Sequence, residues 1–248
     1  MTIGISTSVK IKEENWEKML KLVDLGFKNI EFYNKITRIR TADIKPLLDL
    51  KNKNDLNYSF HSMVQDLFCS EPIISHGEYQ SLKGEIKLAS LIQCSNFIFH
   101  ISKKDILKDS EEKQIAELAN FAKENGLKLC LENNFSQGPF SGDYLLSLLE
   151  KIENLFFCLD IGHFNIALNK GCITNENSFL KSIKNKLAEV HISFNDGKKD
   201  QHLGISAKSE NYIKTILNCF DRKKINFVIE TRNIKQALKT KLILDKYV

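Results

Sequence analysis

Short apolar runs alternate with amphipathic segments eight times along the 248 residues of the chain. The runs have the length of buried strands, and the segments between them repeat apolar residues at helical spacing. The predicted strands cover residues 2–7, 29–33, 56–60, 96–99, 128–131, 155–159, 187–190 and 226–229. The predicted helices cover residues 15–25, 42–53, 78–92, 111–124, 142–152, parts of 164–186, 212–220 and 234–247, and Ser110 is the expected N-cap of the fourth helix.

Strands that alternate with helices form right-handed βαβ units around a parallel sheet. Eight such units in about 250 residues are typical of the (β/α)8 TIM barrel, an α/β fold. A doubly wound sheet is disfavoured because the chain lacks the Gly-rich phosphate loop that such folds carry. The sequence has no linker rich in Gly, Pro or Ser, so we expect residues 1–248 to form a single domain.

The charge balance is close to even, with 36 basic and 31 acidic residues and a formal net charge of +5. This excess permits an anionic substrate, but no basic stretch is dense enough to predict nucleic-acid binding. The six cysteines form no Cys-x-x-Cys pair, which favours a reducing compartment. With neither a secretory signal nor an apolar stretch of about 18 residues, the sequence predicts a cytoplasmic protein without a membrane partner.

Most of the predicted strands lead into a residue that can bind a metal ion. Glu132, Asp160, His191 and Glu230 follow strands five to eight, and we call them the four-residue set. The carboxyl ends of neighbouring barrel strands lie side by side, so these side chains can point at one ion. Three carboxylates and one imidazole suit Mn²⁺, Mg²⁺, Co²⁺ or Zn²⁺. Any one of the acids could instead cap the following helix or pair with a lysine.

A second group, the five-residue set, consists of His61, His100, His163, Asp200 and His202. Two of these follow strands three and four, and the others lie in the loops after strands six and seven. They could supply further ligands to one or two additional ions, or they could line the pocket and donate hydrogen bonds to a substrate. The remaining histidine, His76, is expected in a solvated loop.

Basic and apolar residues are also expected on the rim that carries the metal-binding side chains. Lys35, Arg38, Arg40, Lys198 and Lys199 fall in loops after strands two and seven and could meet a phosphate group, or could be ordinary solvated charges. The apolar residues that follow His61 could close a lid over a small substrate or open a DNA stack as wedges. These apolar residues are Met63, Leu67 and Phe68.

Four stretches of the chain together resemble a known family. They are Leu131-Glu132-Asn133, Leu159-Asp160-Ile161-Gly162-His163, residues 191–204, and Ile229-Glu230-Thr231. In order and spacing they resemble the xylose-isomerase-like TIM barrels, a superfamily that contains sugar phosphate isomerases and epimerases and endonuclease IV. One departure is Leu203-Gly204-Ile205-Ser206, where similar proteins continue into a longer Gly-rich turn with an acid.

The resemblance implies two functions for the same residues. In the isomerase and epimerase branch, residues matching the four-residue set hold one metal ion, and the two matching Glu132 and Glu230 also move the proton. In the endonuclease IV branch, residues matching all nine positions hold three zinc ions. Both sets are complete here, so the ligand residues alone do not choose the branch.

We expect a divalent-metal-dependent sugar or sugar-phosphate isomerase or epimerase, with Glu132 and Glu230 as catalytic residues. His61, His163 and Lys198 are the expected substrate contacts. One divalent ion is expected as cofactor, and up to three if the protein is an endonuclease-IV-like zinc phosphodiesterase, which is the main alternative. A non-catalytic metabolite-binding barrel is the third hypothesis. The expected partner is a small sugar or sugar phosphate; nucleic acid is not favoured, and the chain could form a homo-oligomer.

Overall fold

A computed structural model describes residues 3–64, 76–101, 106–134 and 142–247. Eight parallel strands close a barrel in chain order, with β8 paired to β1, so the predicted (β/α)8 TIM barrel is confirmed. The strands are β1 Ile3–Ser6, β2 Asn29–Tyr33, β3 Asn57–His61, β4 Asn96–Phe99, β5 Lys128–Glu132, β6 Leu155–Asp160, β7 Leu187–Ile192 and β8 Asn226–Ile229.

Helices follow the strands and surround the barrel. They are α1 Asn15–Asp24, α2 Asn34–Thr37, α3 Ile44–Asn54, α4 His76–Leu91, α5 Asp109–Glu124, α6 Asp143–Lys151, α7 Ile161–Asn169, α8 Glu176–Ile183, α9 Ala207–Asn218 and α10 Ile234–Leu244. Among these helices, none combines the length and the hydropathy that a membrane-spanning segment requires.

The helix boundaries differ from the prediction at a few places. Ser110 is not an N-cap, because α5 begins at Asp109 and the Glu111 carboxylate accepts a hydrogen bond of 2.6 Å from the backbone N–H of Lys108. A carboxylate inside the first turn pairs a free N–H group as well as a cap does. The first residue of α4 is His76, which was expected in a loop.

The main core lies between the strands and the helices. Its largest fully buried members are aromatic, among them Phe27, Phe32, Phe97, Phe157 and Phe227. Burying each such side chain contributes roughly 1.5–3 kcal/mol to folding. This apolar shell holds the strand ends in fixed positions, and it leaves the barrel interior free to carry polar groups.

The barrel interior carries a buried polar cluster, in a position where such barrels usually place branched apolar residues. The Glu189 carboxylate accepts hydrogen bonds from Ser59 Oγ at 2.8 Å, Asn96 Nδ2 at 2.6 Å and Asn226 Nδ2 at 3.2 Å. We call these four residues the floor network. A buried charge is tolerated when donors surround it, so the floor network is a stable base beneath the strand ends.

Candidate metal centre and pocket

Side chains that alternate along a strand point alternately into the barrel and away from it. The four-residue set occupies inward positions at the ends of β5 to β8: Glu132 and Asp160 end their strands, His191 lies in β7, and Glu230 directly follows β8. All four side chains are buried. One ligand atom from each lies within 4.8 Å of the others. The structure therefore brings together the four side chains that the sequence expected to converge.

His191 lies at the centre of this arrangement. Its Nδ1 atom is 3.1 Å from Glu132 Oε1 and 3.5 Å from Glu230 Oε2. Its Nε2 atom points to the opposite side, into the barrel, where Glu31 Oε2 lies 2.8 Å away. One ring nitrogen therefore faces the carboxylate cluster, and the other faces a carboxylate that the sequence analysis did not single out.

The five-residue set surrounds the same space. The Nε2 atoms of His61 and His100 lie 3.1 Å and 3.0 Å from Glu132 Oε2, so Glu132 is shared between the two groups. Ligand atoms of these three residues also lie within 4.8 Å of one another. On the other side, Asp200 Oδ2 lies 2.8 Å from His202 Nε2 and 3.6 Å from His163 Nε2.

Asp160 shows how the local sequence builds the site. Its Oδ1 atom accepts a hydrogen bond of 2.6 Å from the backbone N–H of His163 and so caps α7. Its Oδ2 atom is buried and has no hydrogen-bond partner in the described part of the chain. Gly162 lets this helix start beside β7, since a Cβ atom there would lie 2.6 Å from Ser193 Oγ. Capping thus uses one oxygen of Asp160 and leaves the other directed at the cluster.

The charges of the cluster shift the pKa values of its members. Burial raises the pKa of Glu230 to about 7, and the nearby Glu31 and Glu132 carboxylates add to the effect against the opposing influence of His191. Burial also raises the pKa of Asp160. Carboxylates packed this closely repel one another unless a cation lies between them. The donor set of three carboxylates and one imidazole therefore fits a divalent ion.

The histidines divide into two electrostatic classes. Burial and the neighbouring histidines lower the pKa of His100 to about 4 despite Glu132, so this imidazole is neutral, as a metal ligand must be. Burial lowers the pKa of His163 as well, but Asp160 and Asp200 outweigh it and raise the value to about 10. Without a metal ion, His163 is therefore a cation among acids.

The cluster opens into a pocket of about 380 Å³. Residues that the sequence analysis did not single out complete its lining: Ser8, Lys10, Tyr33, Thr231 and Arg232. The backbone N–H of Lys10 donates to the carbonyl of Arg232 at 3.0 Å, so the loops after β1 and β8 are joined at the mouth. Both cationic side chains are exposed there. The one sequence signal that could have identified Lys10 and Arg232 is that each lies in the loop just after a predicted strand.

The basic residues expected on the rim do not line this pocket. Lys198 is exposed and outside the pocket lining, and its backbone N–H donates to Asp196 Oδ1 at 3.0 Å. Arg38 and Arg40 line a separate cavity of about 320 Å³. The substrate contact expected of Lys198 stays a prediction. Met63 is half exposed, whereas Leu67 and Phe68 lie outside the described residues.

Comparisons with known proteins agree with this architecture. The solved structure of a D-tagatose 3-epimerase-like protein superposes with a TM-score of 0.82 at 23% identity, covering 100% of this chain and 97% of that one. Endonuclease IV from Thermus thermophilus superposes with a TM-score of 0.70 at 16% identity, covering 99% and 100%. These likenesses show the fold.

Sequence comparisons give the family. The uncharacterized protein MJ1311 of Methanocaldococcus jannaschii is 26% identical, with 100% of this chain and 89% of that protein aligned. The family model described as xylose isomerase-like TIM barrel matches residues 19–239. The match covers most of the chain, including both sets of residues around the pocket. The chain therefore belongs to the xylose isomerase-like TIM barrel family.

Proposed function

We propose that this protein is a divalent-metal-dependent isomerase or epimerase that acts on a sugar or sugar phosphate. The observation that carries the proposal is the convergence of the four-residue set, with one ligand atom from each residue within 4.8 Å of the others, at the base of a pocket of about 380 Å³. Pockets of roughly 300–1,000 Å³ hold small molecules. A bound ion would polarise a substrate carbonyl at this position.

Glu132 and Glu230 are the proposed acid and base. Glu132 Oε1 and Glu230 Oε2 lie 3.1 Å and 3.5 Å from His191 Nδ1, so both carboxylates are within reach of a substrate held beside this point. One carboxylate takes the proton from the carbon beside the carbonyl. If the other returns a proton to the opposite face of the same carbon, the result is epimerisation. If the proton goes to the former carbonyl carbon, and the hydroxyl proton moves to the carbonyl oxygen, the result is isomerisation.

His61, His163 and the cations at the mouth have proposed roles in orienting the substrate. Both histidines line the pocket, where they can donate hydrogen bonds to substrate hydroxyl groups. Lys10 and Arg232 lie at the open end, where a phosphate carried by the substrate would reach them. This placement supports a phosphorylated sugar within the proposed class.

A zinc phosphodiesterase of the endonuclease IV type is the second candidate. It is favoured by the arrangement of the five-residue set, since Glu132 Oε2 is shared by His61 and His100, and Asp200 lies between His163 and His202. Such an enzyme would hold two or three ions and attack phosphorus with a metal-activated water. A non-catalytic binding barrel is less well supported, because ligand binding alone does not require several buried carboxylates around one point.

Two measurements separate these functions. Metal content would be determined on protein purified without chelator, and hydrogen exchange at carbon would be followed in D₂O across a panel of ketoses and ketose phosphates. One ion per chain with metal-dependent exchange is the expected result. Two or three tightly held zinc ions, together with nicking of an abasic-site duplex that His100→Ala and Asp200→Ala abolish, would establish the phosphodiesterase instead.

A further inference from the structure

We infer that Glu31 is a positioning residue for the metal centre: its carboxylate holds the imidazole of His191 with the proton on Nε2, so that Nδ1 is presented to the carboxylate cluster. The inference rests on the proposed metal site, in which His191 is a ligand. It concerns a residue in the middle of β2, a strand that is not hydrogen-bonded to any of the four strands that carry the four-residue set.

The contact crosses the barrel interior. Glu31 pairs with Ser6 of β1 and Ser59 of β3 in strand register, so its side chain points inward from the second strand. Glu31 Oε2 lies 2.8 Å from His191 Nε2, and both side chains are fully buried. At that depth the contact is shielded from bulk solvent.

Within the described ranges, Glu31 has no donor other than His191. Neither of its oxygens has a hydrogen bond of full geometry there, and the same holds for His191 Nε2, although Glu31 Oε2 and His191 Nε2 lie only 2.8 Å apart. A buried carboxylate without a donor is costly. A hydrogen bond from Nε2–H to Glu31 Oε2 across this distance supplies the missing donor.

Glu189 is the informative comparison, because it is equally buried and lies near the same nitrogen. Its Oε1 atom is 3.7 Å from His191 Nε2, beyond hydrogen-bond distance. Both of its oxygens are already paired with donors of the floor network. Glu189 is therefore held by neutral donors, and Glu31 is left for His191.

This pairing has a direct consequence for metal binding. A histidine that donates from one ring nitrogen to a carboxylate is fixed in orientation and tautomer, and its other nitrogen becomes a better ligand. His191 Nδ1 already lies 3.1 Å from Glu132 Oε1 and 3.5 Å from Glu230 Oε2. Glu31 thus fixes the orientation and tautomer of His191, the one nitrogen ligand of the four-residue set, by contacting the ring nitrogen that faces away from the cluster.

An interior cation site is the competing interpretation, since ligand atoms of Glu31, Glu189 and His191 also lie within 4.8 Å of one another. It is disfavoured because the Glu189 oxygens are engaged by three donors. An ion there would compete with Ser59 for Glu189 Oε1, the oxygen that lies 3.7 Å from His191 Nε2. The proton on Nε2 involves no such competition.

The first test measures metal affinity. Glu31→Gln should weaken Zn²⁺ and Co²⁺ binding by about 10–100-fold in competition with a chromophoric chelator, with one ion still bound per chain at saturation. Glu189→Gln is the matched control: it should lower the melting temperature of the metal-free protein while changing affinity far less. Wild-type affinity in Glu31→Gln would overturn the inference, as would the loss of one of two bound ions in that variant.

The second test does not depend on the variants folding. ¹⁵N-histidine NMR of the wild-type protein should show a protonated Nε2 for His191 both without metal and with Zn²⁺. The Nδ1 signal should shift only when Zn²⁺ is added. An Nε2 without a proton would overturn the inference. If the wild-type protein binds no metal at all, the proposed function fails, whereas a downfield, exchange-protected Nε2–H signal of His191 in the metal-free spectrum still reports the hydrogen bond to Glu31.

Discussion

Two layers of buried carboxylates lie one above the other in this barrel, and they differ in the donors around them. In the floor network, Glu189 accepts hydrogen bonds from three neutral side chains. Two residues further along β7, at the level of His191, Glu132 faces imidazole nitrogens of three histidines within 3.1 Å, and Glu230 faces one at 3.5 Å. Asp160 Oδ2 has no partner in the described ranges.

The difference separates buried carboxylates that stabilise the fold from buried carboxylates that are suited to bind a metal ion. A buried carboxylate with a full set of donors is stable as folded, whereas one without them gains from a cation. The floor network should therefore affect stability alone, and the four-residue set should affect metal binding and turnover.

The largest effect is expected for Glu230→Gln. The amide keeps the shape of the side chain but cannot accept the proton, so exchange and turnover should fall by about 10²–10⁴-fold or more. Hydrogen exchange in D₂O with the best member of the ketose panel measures this. Glu150→Gln, at an exposed position in α6, is the matched control and should behave as wild type. Wild-type exchange in Glu230→Gln would show that Glu230 is not the base.

Metal removal is expected to destabilise the folded protein, because the four-residue set loses its ion. A ligand that binds the folded state alone adds roughly 2.7 to 4.1 kcal/mol at 100 to 1,000 times its dissociation constant. EDTA should therefore lower the melting temperature, and Mn²⁺, Co²⁺ or Zn²⁺ should restore it. A wild-type melt that does not change after verified metal loss contradicts the proposed site.

Asp160→Asn sharpens this experiment. The asparagine oxygen can still accept from the backbone N–H of His163, so the cap of α7 is kept while one negative charge is removed. We expect its metal-free form to melt at or above the wild-type metal-free temperature, because carboxylate repulsion is reduced. Its response to added metal should be largely lost.

A substitution in the floor network should instead change the stability of the protein and leave its response to metal unchanged. Ser59→Ala removes a donor at 2.8 Å from a buried carboxylate and should destabilise the protein by about 1.5–3 kcal/mol in urea unfolding. The loss should be the same with and without EDTA. Ser147→Ala, at an exposed helix position, should be close to neutral. A Ser59→Ala effect that disappears in EDTA would mean that the two layers are not independent.

The sequence predicted the fold and the convergence of both sets for one physical reason. The four-residue set follows apolar runs directly, the five-residue set follows them directly or lies in the next loop, and the barrel brings all strand ends to one face. Such a pattern is local along the chain, so it can be read without knowing which strands oppose one another. The cap of α5 was misplaced because the first helical turn offers several equivalent ways to pair its N–H groups.

Glu31 could not be predicted in this way. It lies in the middle of β2, and its contact with His191 depends on the register of strands that are not neighbours. Lys10 and Arg232 were missed for a related reason, since exposed basic residues are common and only the closed barrel shows which ones border the pocket. Lys198 was predicted as a substrate contact because of its positive charge, whereas the pocket lining favours Lys10 and Arg232.

The smallest effect is expected at the pocket mouth, where this difference can be tested. Arg232→Gln removes an exposed charge that lines the pocket and has no ion-pair partner in the described ranges. Because exposed charges are screened by water and salt, we expect KM for a phosphorylated substrate to rise several-fold with kcat nearly unchanged, and KM for the neutral sugar to stay the same. The rise should shrink as ionic strength increases.

Lys198→Gln is the matched comparison for Arg232→Gln, because it removes the same charge from the same rim, outside the pocket lining. We expect it to leave both KM values unchanged. If Lys198→Gln raises KM for the phosphorylated substrate and Arg232→Gln does not, the loop after β7 contacts the phosphate, and position at the mouth does not identify the contact. If both variants shift KM equally for neutral and phosphorylated sugars, neither cation recognises phosphate, and the substrate class narrows to unphosphorylated sugars.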